Sequence, residues 1–423
     1  MDWRITHHMN YWGGIKLAYP DVPKEQPRFA KCVVVGNLVF VSGCGGGDPA
    51  SDAPAPENIT AQVNQALDLA RSALETAGSS MNNIIKTYFL ITSLDDYGEV
   101  RKTETEYYEV HAPALVEKPP AATLMVVPAL ARPEYKLEYE VIGVIERSAP
   151  DWSVTYFPEF WGGKELAFPH VPREHAKFAR TQVAGNLVIV SGCQALDHDT
   201  IRTETDDIAE QSEIVLEKIR NGMEETGGDL SSLAKTNVFV KDAEALDVYR
   251  RIERAYFEKY SPEAAAHPPA STAFIVAELP RPEFLIEVEA FGVIDKNALD
   301  FAHVHRAGTE FAAESVTTGR LVFLSGCEAD EVSTGPLDVE VAAVLEKVRA
   351  ALTNAGSSMN NIVKLERILK LGEDNGVVRD AEFEFYQKYA PRLLSHPPAS
   401  MFSQLSTISA GSARYQIDVT AVI

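Results

Sequence analysis

A nine-residue stretch occurs three times in this chain and constrains the fold more than any other feature. Residues Gly36–Cys44 read GNLVFVSGC, Gly185–Cys193 read GNLVIVSGC and Gly319–Cys327 read GRLVFLSGC. Each copy is a turn dipeptide, a four-residue apolar run and then Ser-Gly-Cys. A short run of Val, Leu, Ile and Phe bounded by turn residues reads as a buried strand. Its end brings a hydroxyl, a glycine N–H and a thiol together, where a ligand cleft can form.

Other segments repeat in step with it. Asp2-Trp3 recurs as Asp151-Trp152, Trp12-Gly13-Gly14 as Trp161-Gly162-Gly163, and Ser42-Gly43-Cys44 as Ser191-Gly192-Cys193, all offset by 149 residues. Ala77–Ile84 (AGSSMNNI) recurs letter for letter as Ala355–Ile362. A Pro-rich element stands near the end of each copy, at Lys118–Ala122, His267–Ser271 and His396–Ser400. Each copy then closes on a strand ending at Ile145, Ile294 or Ile423. The repeats therefore run over 1–148, 149–296 and 297–423, the first two with a WGG extension and the third shorter and most degenerate. Units of this length are domains rather than solenoid turns.

Within a copy the hydrophobic period switches in a fixed order. Val63, Leu67, Ala70 and Leu74 lie on one face of a helix, as do Val341, Leu345, Val348 and Leu352. Gly78 and Gly356 stand where a helix C-terminus calls for glycine. An alternating strand follows, with Ile85, Thr87, Phe89 and Ile91 against Lys86, Tyr88 and Leu90. A second helix aligns Leu246, Tyr249, Ile252 and Tyr256. Two strands complete a β-β-α-β-α-β-β unit, an α+β domain with helices on one face of a mixed sheet.

The chain has 423 residues, 45% of them hydrophobic, which suffices for a core in each of three domains. A net charge of −22 argues against nucleic acid or an anionic membrane surface as partner. No run approaches the ~18 apolar residues of a spanning helix, and the start has no signal-peptide pattern. The four cysteines, at 32, 44, 193 and 327, form no CxxC pair. Three of them occupy one repeated position, so a cytoplasmic protein with reduced thiols is expected. His7, His8, His303 and His305 lack a third ligand at useful spacing, and no metal is expected.

GNLVFVSG, AGSSMNNIIK, the PPA element and the closing EYEVIGVI strand together resemble the Rid family, the reactive-intermediate deaminases also called YjgF-like proteins. The resemblance covers nearly all of each repeat. It implies three tandem YjgF-like domains forming an intramolecular pseudo-trimer, with sheets inside, helices outside and three non-equivalent ligand clefts between domains. A monomeric pseudo-trimer follows, with further self-association left open. It also implies hydrolysis of imines or enamines without metal or cofactor.

Several positions depart from the family pattern. The resemblance implies an Arg after the Pro-Ala step to hold a substrate carboxylate, where this chain has Ala122, Ser271 and Ser400. The implied Tyr before the strand is Phe29 and Phe178, with Phe311 one residue out of register. The implied water-positioning Glu matches Glu138 and Glu287 but is Gln416 in the third copy. The loss of Arg makes an ordinary carboxylate substrate doubtful and points to a neutral or aromatic ligand. Ser42, Gly43, Ser191, Gly192, Ser325 and Gly326 offer hydroxyl and N–H groups able to hold a carbonyl or oxyanion.

Three readings of function follow. The first is a cofactor-free, deaminase-like hydrolase acting on a small imine, enamine or related C–N compound, with clefts around Ser42/Glu138 and Ser191/Glu287. The second is a non-catalytic small-molecule-binding or scaffold protein. The third is a thiol-dependent hydrolase or lyase using Cys44, Cys193 or Cys327, with His267, His396 or Lys118 as the group that activates the thiol. Against the third stands packing, since a buried Cys commonly fills space as a small hydrophobe. Glu140 and Glu289, two residues beyond the candidate acids, read as a polar strand face turned to solvent or to the barrel interior. Trp12 and Trp161 read as a docked N-terminal flap.

Overall fold

The structure, a computed structural model, describes residues 4–9, 29–48, 53–149, 152–158, 178–196, 202–203, 205–298, 301–305, 311–329, 335–408 and 412–423. Trp12, Trp161 and the glycines beside them lie outside the described residues.

The expected order of elements appears three times. In the first copy a hairpin of Ala30–Val35 and Leu38–Val41 precedes helix Ile59–Thr76, strand Ile84–Ile91, helix Tyr97–His111, and strands Ala121–Val126 and Leu137–Val144. The hairpin turns at Gly36 with φ 59°, a conformation glycine adopts without steric cost. Gly185 and Gly319 repeat that turn, with φ 61° and 60°. Asn58 caps the first helix by accepting from Ala61 N at 3.1 Å, and Gly78, at φ 82°, ends it. One element was not foreseen. A short leading strand, Ile5–Met9, Val154–Pro158 or Phe301–His305, pairs antiparallel with the first hairpin strand of each copy.

The central strand of each copy, Leu137–Val144, Ile286–Val293 or Tyr415–Val422, pairs antiparallel with both the hairpin and the strand after the first helix. Every residue of these three strands is buried. Strand Ile84–Ile91 is buried throughout as well, so its Lys86 face is not a solvent face. One side of each sheet packs under its own two helices, where Val63, Leu67, Ala70 and Leu74 contribute about 1.5–3 kcal/mol apiece for larger side chains. The other side meets the other two copies, in a core that joins Val33, Ile142, Leu187, Phe291, Val316 and Leu321.

The copies close into a ring through three equivalent seams. Ala179 N donates to Pro120 O at 2.9 Å, Ala313 N to Pro269 O at 3.0 Å and Ala30 N to Pro398 O at 3.1 Å. The Pro-rich element of each copy therefore meets the hairpin of the next, and that of the third returns to the first. Ion pairs repeat the same cycle on the inner face. Lys86 Nζ lies 2.5 Å from Glu289 Oε2, Lys235 pairs with Asp418, and Lys364 Nζ lies 3.1 Å from Glu140 Oε1. Glu140 and Glu289 thus face the ring interior and not solvent, each against a lysine of another copy.

Candidate active site

The Ser-Gly-Cys strand ends lie at the three seams. Ser42 Oγ accepts from Ser400 N at 2.8 Å and donates to Ala30 O at 2.5 Å, while Gly43 N donates to Ser400 O at 3.0 Å. Ser191 Oγ accepts from Ala122 N at 2.9 Å and donates to Ala179 O at 2.5 Å. Ser325 Oγ accepts from Ser271 N at 2.8 Å and donates to Ala313 O at 2.6 Å, with Gly326 N donating to Ser271 O at 3.2 Å. These groups were expected to grip a ligand. In the structure each serine proton goes to a carbonyl of its own copy, while the serine oxygens accept a backbone N–H from the neighbouring copy and Gly43 N and Gly326 N donate across the seam, so these groups are already engaged.

Over each of these glycines lies the candidate acid. A Cβ on Gly43 would sit 1.8 Å from Glu138 Oε1, one on Gly192 would sit 1.8 Å from Glu287 Oε1, and one on Gly326 would sit 2.5 Å from Gln416 Nε2. Only glycine leaves room for a carboxyl there, which accounts for its recurrence in the SGC motif. Glu138 is 5% exposed and Glu287 fully buried. Burial raises both carboxyls to about 8; a hydrogen bond from Phe402 N, 3.2 Å from Glu138 Oε1, only partly offsets this for Glu138. Gln194 and Lys86 lower Glu287 slightly, although neither of its oxygens has a donor at hydrogen-bonding distance and angle. A carboxyl poised near 8 can donate a proton at neutral pH and accept one soon after. Gln416 can do neither. Its amide donates to Ala273 O at 3.3 Å.

In two copies an arginine from another element reaches the residue after Pro-Ala. Arg367, on strand Ile362–Lys370, donates to Ser400 Oγ and, at 2.6 Å, to Glu382 Oε1. Arg250, on helix Ala243–Tyr260, donates to Ser271 Oγ at 2.8 Å and to Glu253 Oε2 at 2.8 Å. Arg101 pairs with Glu104 Oε2 at 2.6 Å, but Ala122 gives it no hydroxyl. Glu104, Glu253 and Glu382 are all buried, and each also accepts from a tyrosine hydroxyl, of Tyr108, Tyr249 and Tyr415 respectively. The sequence carries Arg-x-x-Glu at 101–104, 250–253 and 379–382, which marks Arg101, Arg250 and the buried glutamates, but in the third copy it marks Arg379, which bonds Glu382 Oε2 at 2.7 Å, and not Arg367.

The cysteines stand apart from this chemistry. Cys44, Cys193 and Cys327 are buried and donate to the carbonyls of Ser42, Ser191 and Ser325 at 3.3, 3.4 and 3.5 Å. Burial first, then Glu138 and Glu140, pushes the Cys44 thiol far above its ordinary range, and burial pushes Cys32 up to about 12. His396 is exposed and rings against His7, and His267 against His303 and His305. All three thiols are buried core residues bonded to carbonyls, and at Cys44 an anion would lose its solvation and face carboxyls, which weighs against the nucleophile reading. Phe178 packs on the core of the first copy, and Phe311 stacks edge-on with Phe257 of the second at 5.7 Å, so these rings help close the seams. Phe29 is half-buried. Among the described residues no group of His, Cys, Asp and Glu forms a metal cage, and no helix is long and apolar enough to cross a membrane.

An α+β repeat with its acid at the seam between copies defines the class of protein. The family described as Endoribonuclease L-PSP matches residues 21–145 and 169–294. The chain belongs to this family, the YjgF-like or Rid proteins. Among its relatives is a RutC family protein of Pyrococcus abyssi, 30% identical over 128 residues, which are 30% of this chain and 94% of that protein. The 2-iminobutanoate/2-iminopropanoate deaminase of Salmonella typhimurium is 28% identical over 128 residues, 30% of this chain and 95% of that enzyme. The crystal structure of the YjgF gene product from E. coli aligns with a TM-score of 0.26 at 26% identity, over 31% of this chain and 94% of that one.

Proposed function

We propose that this protein is a cofactor-free, deaminase-like hydrolase of a small imine or enamine, and that the seam between the third and first copies is its working cleft. One observation carries the choice of cleft. Among the described residues, this seam has both a candidate acid, Glu138, and a guanidinium hydrogen-bonded to the side chain after Pro-Ala, Arg367 on Ser400. The seam of the first and second copies has Glu287 but Ala122. The seam of the second and third has Arg250 on Ser271 but Gln416. The loss of the family arginine therefore does not strip the site of positive charge, and an anionic substituent on the substrate is again accommodated.

In this reading neutral Glu138 protonates the imine nitrogen or the enamine carbon. The resulting carboxylate takes a proton from the attacking water as the C–O bond forms. Collapse of the carbinolamine releases ammonia and leaves the carbonyl compound, so one water is consumed for each C–N bond broken. Arg367 holds the anionic group by charge-assisted hydrogen bonds, each contributing roughly 1.5–3 kcal/mol.

The test is ammonia release from imines generated in situ by an amino-acid oxidase. Glu138→Gln is expected to lower the rate by about 10²-fold or more, and Arg367→Gln to raise KM for carboxylate-bearing imines while sparing neutral ones. Full activity in Glu138→Gln sinks the proposal. A second reading, a ligand-binding protein without turnover, is favoured by the serine and glycine donors already spent on backbone carbonyls. Saturable ligand binding without ammonia release across an imine panel would establish it instead.

A further inference from the structure

The axis of the ring carries a second constellation, apart from the clefts. Lys86, Lys235 and Lys364 occupy one register of the three copies, and Glu140, Glu289 and Asp418 another, each lysine paired across a seam. Together they enclose a cavity of about 40 Å³. Water needs about 10–15 Å³ on this measure, so the space holds roughly three waters or one small ion with part of its shell.

One position breaks the three-fold pattern. Where the first copy has Tyr88 and the second Asn237, the third has Glu366, also in the cavity wall. The wall therefore holds four carboxyls against three ammonium groups, so with all seven ionised one negative charge lacks a counter-charge, and burial pushes the Glu366 carboxyl well above the usual carboxylate range. Three wall oxygens have no hydrogen-bond partner: Glu366 Oε1, Glu140 Oε2 and Asn237 Oδ1. Their side chains are 3%, 4% and 9% exposed, so bulk water does not satisfy them. Asn237 is oriented by its amide, which donates to Glu289 Oε1 at 2.7 Å, so its oxygen is the atom turned elsewhere.

All three orphans are acceptors, and acceptors in an enclosed polar site call for a donor or a cation. The charge imbalance is a single unit. Among the described residues no group of three or more acidic or imidazole ligands forms a metal cage, which disfavours a divalent ion. We infer that the axial cavity is a binding site for one small monocation of ammonium or potassium size, held by Glu366, Glu140 and Asn237. An ammonium ion satisfies all three acceptors as hydrogen bonds, and potassium satisfies them by coordination. This site is independent of the cleft chemistry.

The experiment compares thermal unfolding at pH 8 in ammonium, potassium, sodium and choline chlorides at one ionic strength. Choline is too large for the cavity. Ammonium or potassium is expected to raise the midpoint saturably by about 2 °C or more over choline, and Glu366→Gln, which removes the unbalanced charge, to abolish the difference. Equal midpoints in all four salts overturn the inference and leave a proton on Glu366 as the charge balance. An undiminished difference in Glu366→Gln overturns it as well. Should that variant not fold, rubidium-soaked crystals of the unaltered chain decide. An anomalous peak in contact with Glu366 and Glu140 supports the site, and none at saturating rubidium removes it.

Discussion

Glu287 and Glu289 stand two residues apart on one strand, both buried, and they end in opposite states. Glu289 also loses solvation, but Lys86, Thr123 and Asn237 outweigh that loss and hold it below the usual carboxylate range. Glu287 makes no ion pair, the pull of Lys86 does not offset its lost solvation, and burial lifts it to about 8. Burial is thus common to both, and the partner decides the charge. Along the axis, paired acids bind the copies to one another. At the seams, unpaired acids are left with a proton to exchange.

Removing the proton-carrying group is expected to have the largest effect. Glu138→Gln should reduce ammonia release by about 10²-fold or more, and Glu287→Gln by less, because its seam lacks the serine–arginine contact; equal losses would erase the distinction between clefts. Next, Lys86→Met leaves Glu289 buried without its cation and is expected to destabilise by about 3–5 kcal/mol in denaturant unfolding. Adding Glu289→Leu should recover part of that loss, and no recovery would show that the pair matters for packing alone. Gly43→Ala forces a methyl into the place of the Glu138 carboxyl and is expected to cost about 1–3 kcal/mol together with activity. An unchanged melting curve would mean the carboxyl can swing away freely.

The pH dependence is smaller and its sign is fixed by the raised values. The folded chain keeps protons on Glu138 and Glu287 up to about 8, whereas the unfolded chain releases them near the ordinary 4.5. Stability contributed by these sites is therefore full below about 4.5 and is lost as pH rises through about 8. The Glu138→Gln/Glu287→Gln double variant should flatten that slope, and an unaltered slope would place the titration elsewhere. Iodoacetamide should have the least effect. Labelling of Cys44, Cys193 and Cys327 in the folded chain, followed by mass spectrometry, is expected to be negligible, and fast labelling would reopen the thiol reading.

Much of this was legible in the chain itself. The strand ending in SGC, the helix from Val63 to Leu74 and the glycines at its end are local patterns, set by side-chain periodicity and by backbone freedom at Gly36 and Gly78. Glu138 and Glu287 were legible too, through the family resemblance. Their elevated proton affinity was not, because it depends on the copy that covers them. Arg367 was missed for a different reason: it lies on strand Ile362–Lys370, 33 positions from the Ser400 it contacts, and no local pattern ties the two. The leading strand Ile5–Met9 was unmarked by any strong alternation.

The sequence by itself determined three copies of one α+β unit, because each copy carries its own periodicity, turns and cap residues. Only the tertiary structure decided the order of copies around the ring, the backbone N–H bonds that the serine oxygens accept across the seams, and which acids are paired. Those outcomes depend on groups such as Ser42 and Ser400, separated by 358 positions, meeting across a seam. Charge state in a buried site follows from what lies within a few ångströms, and linear sequence does not record that distance.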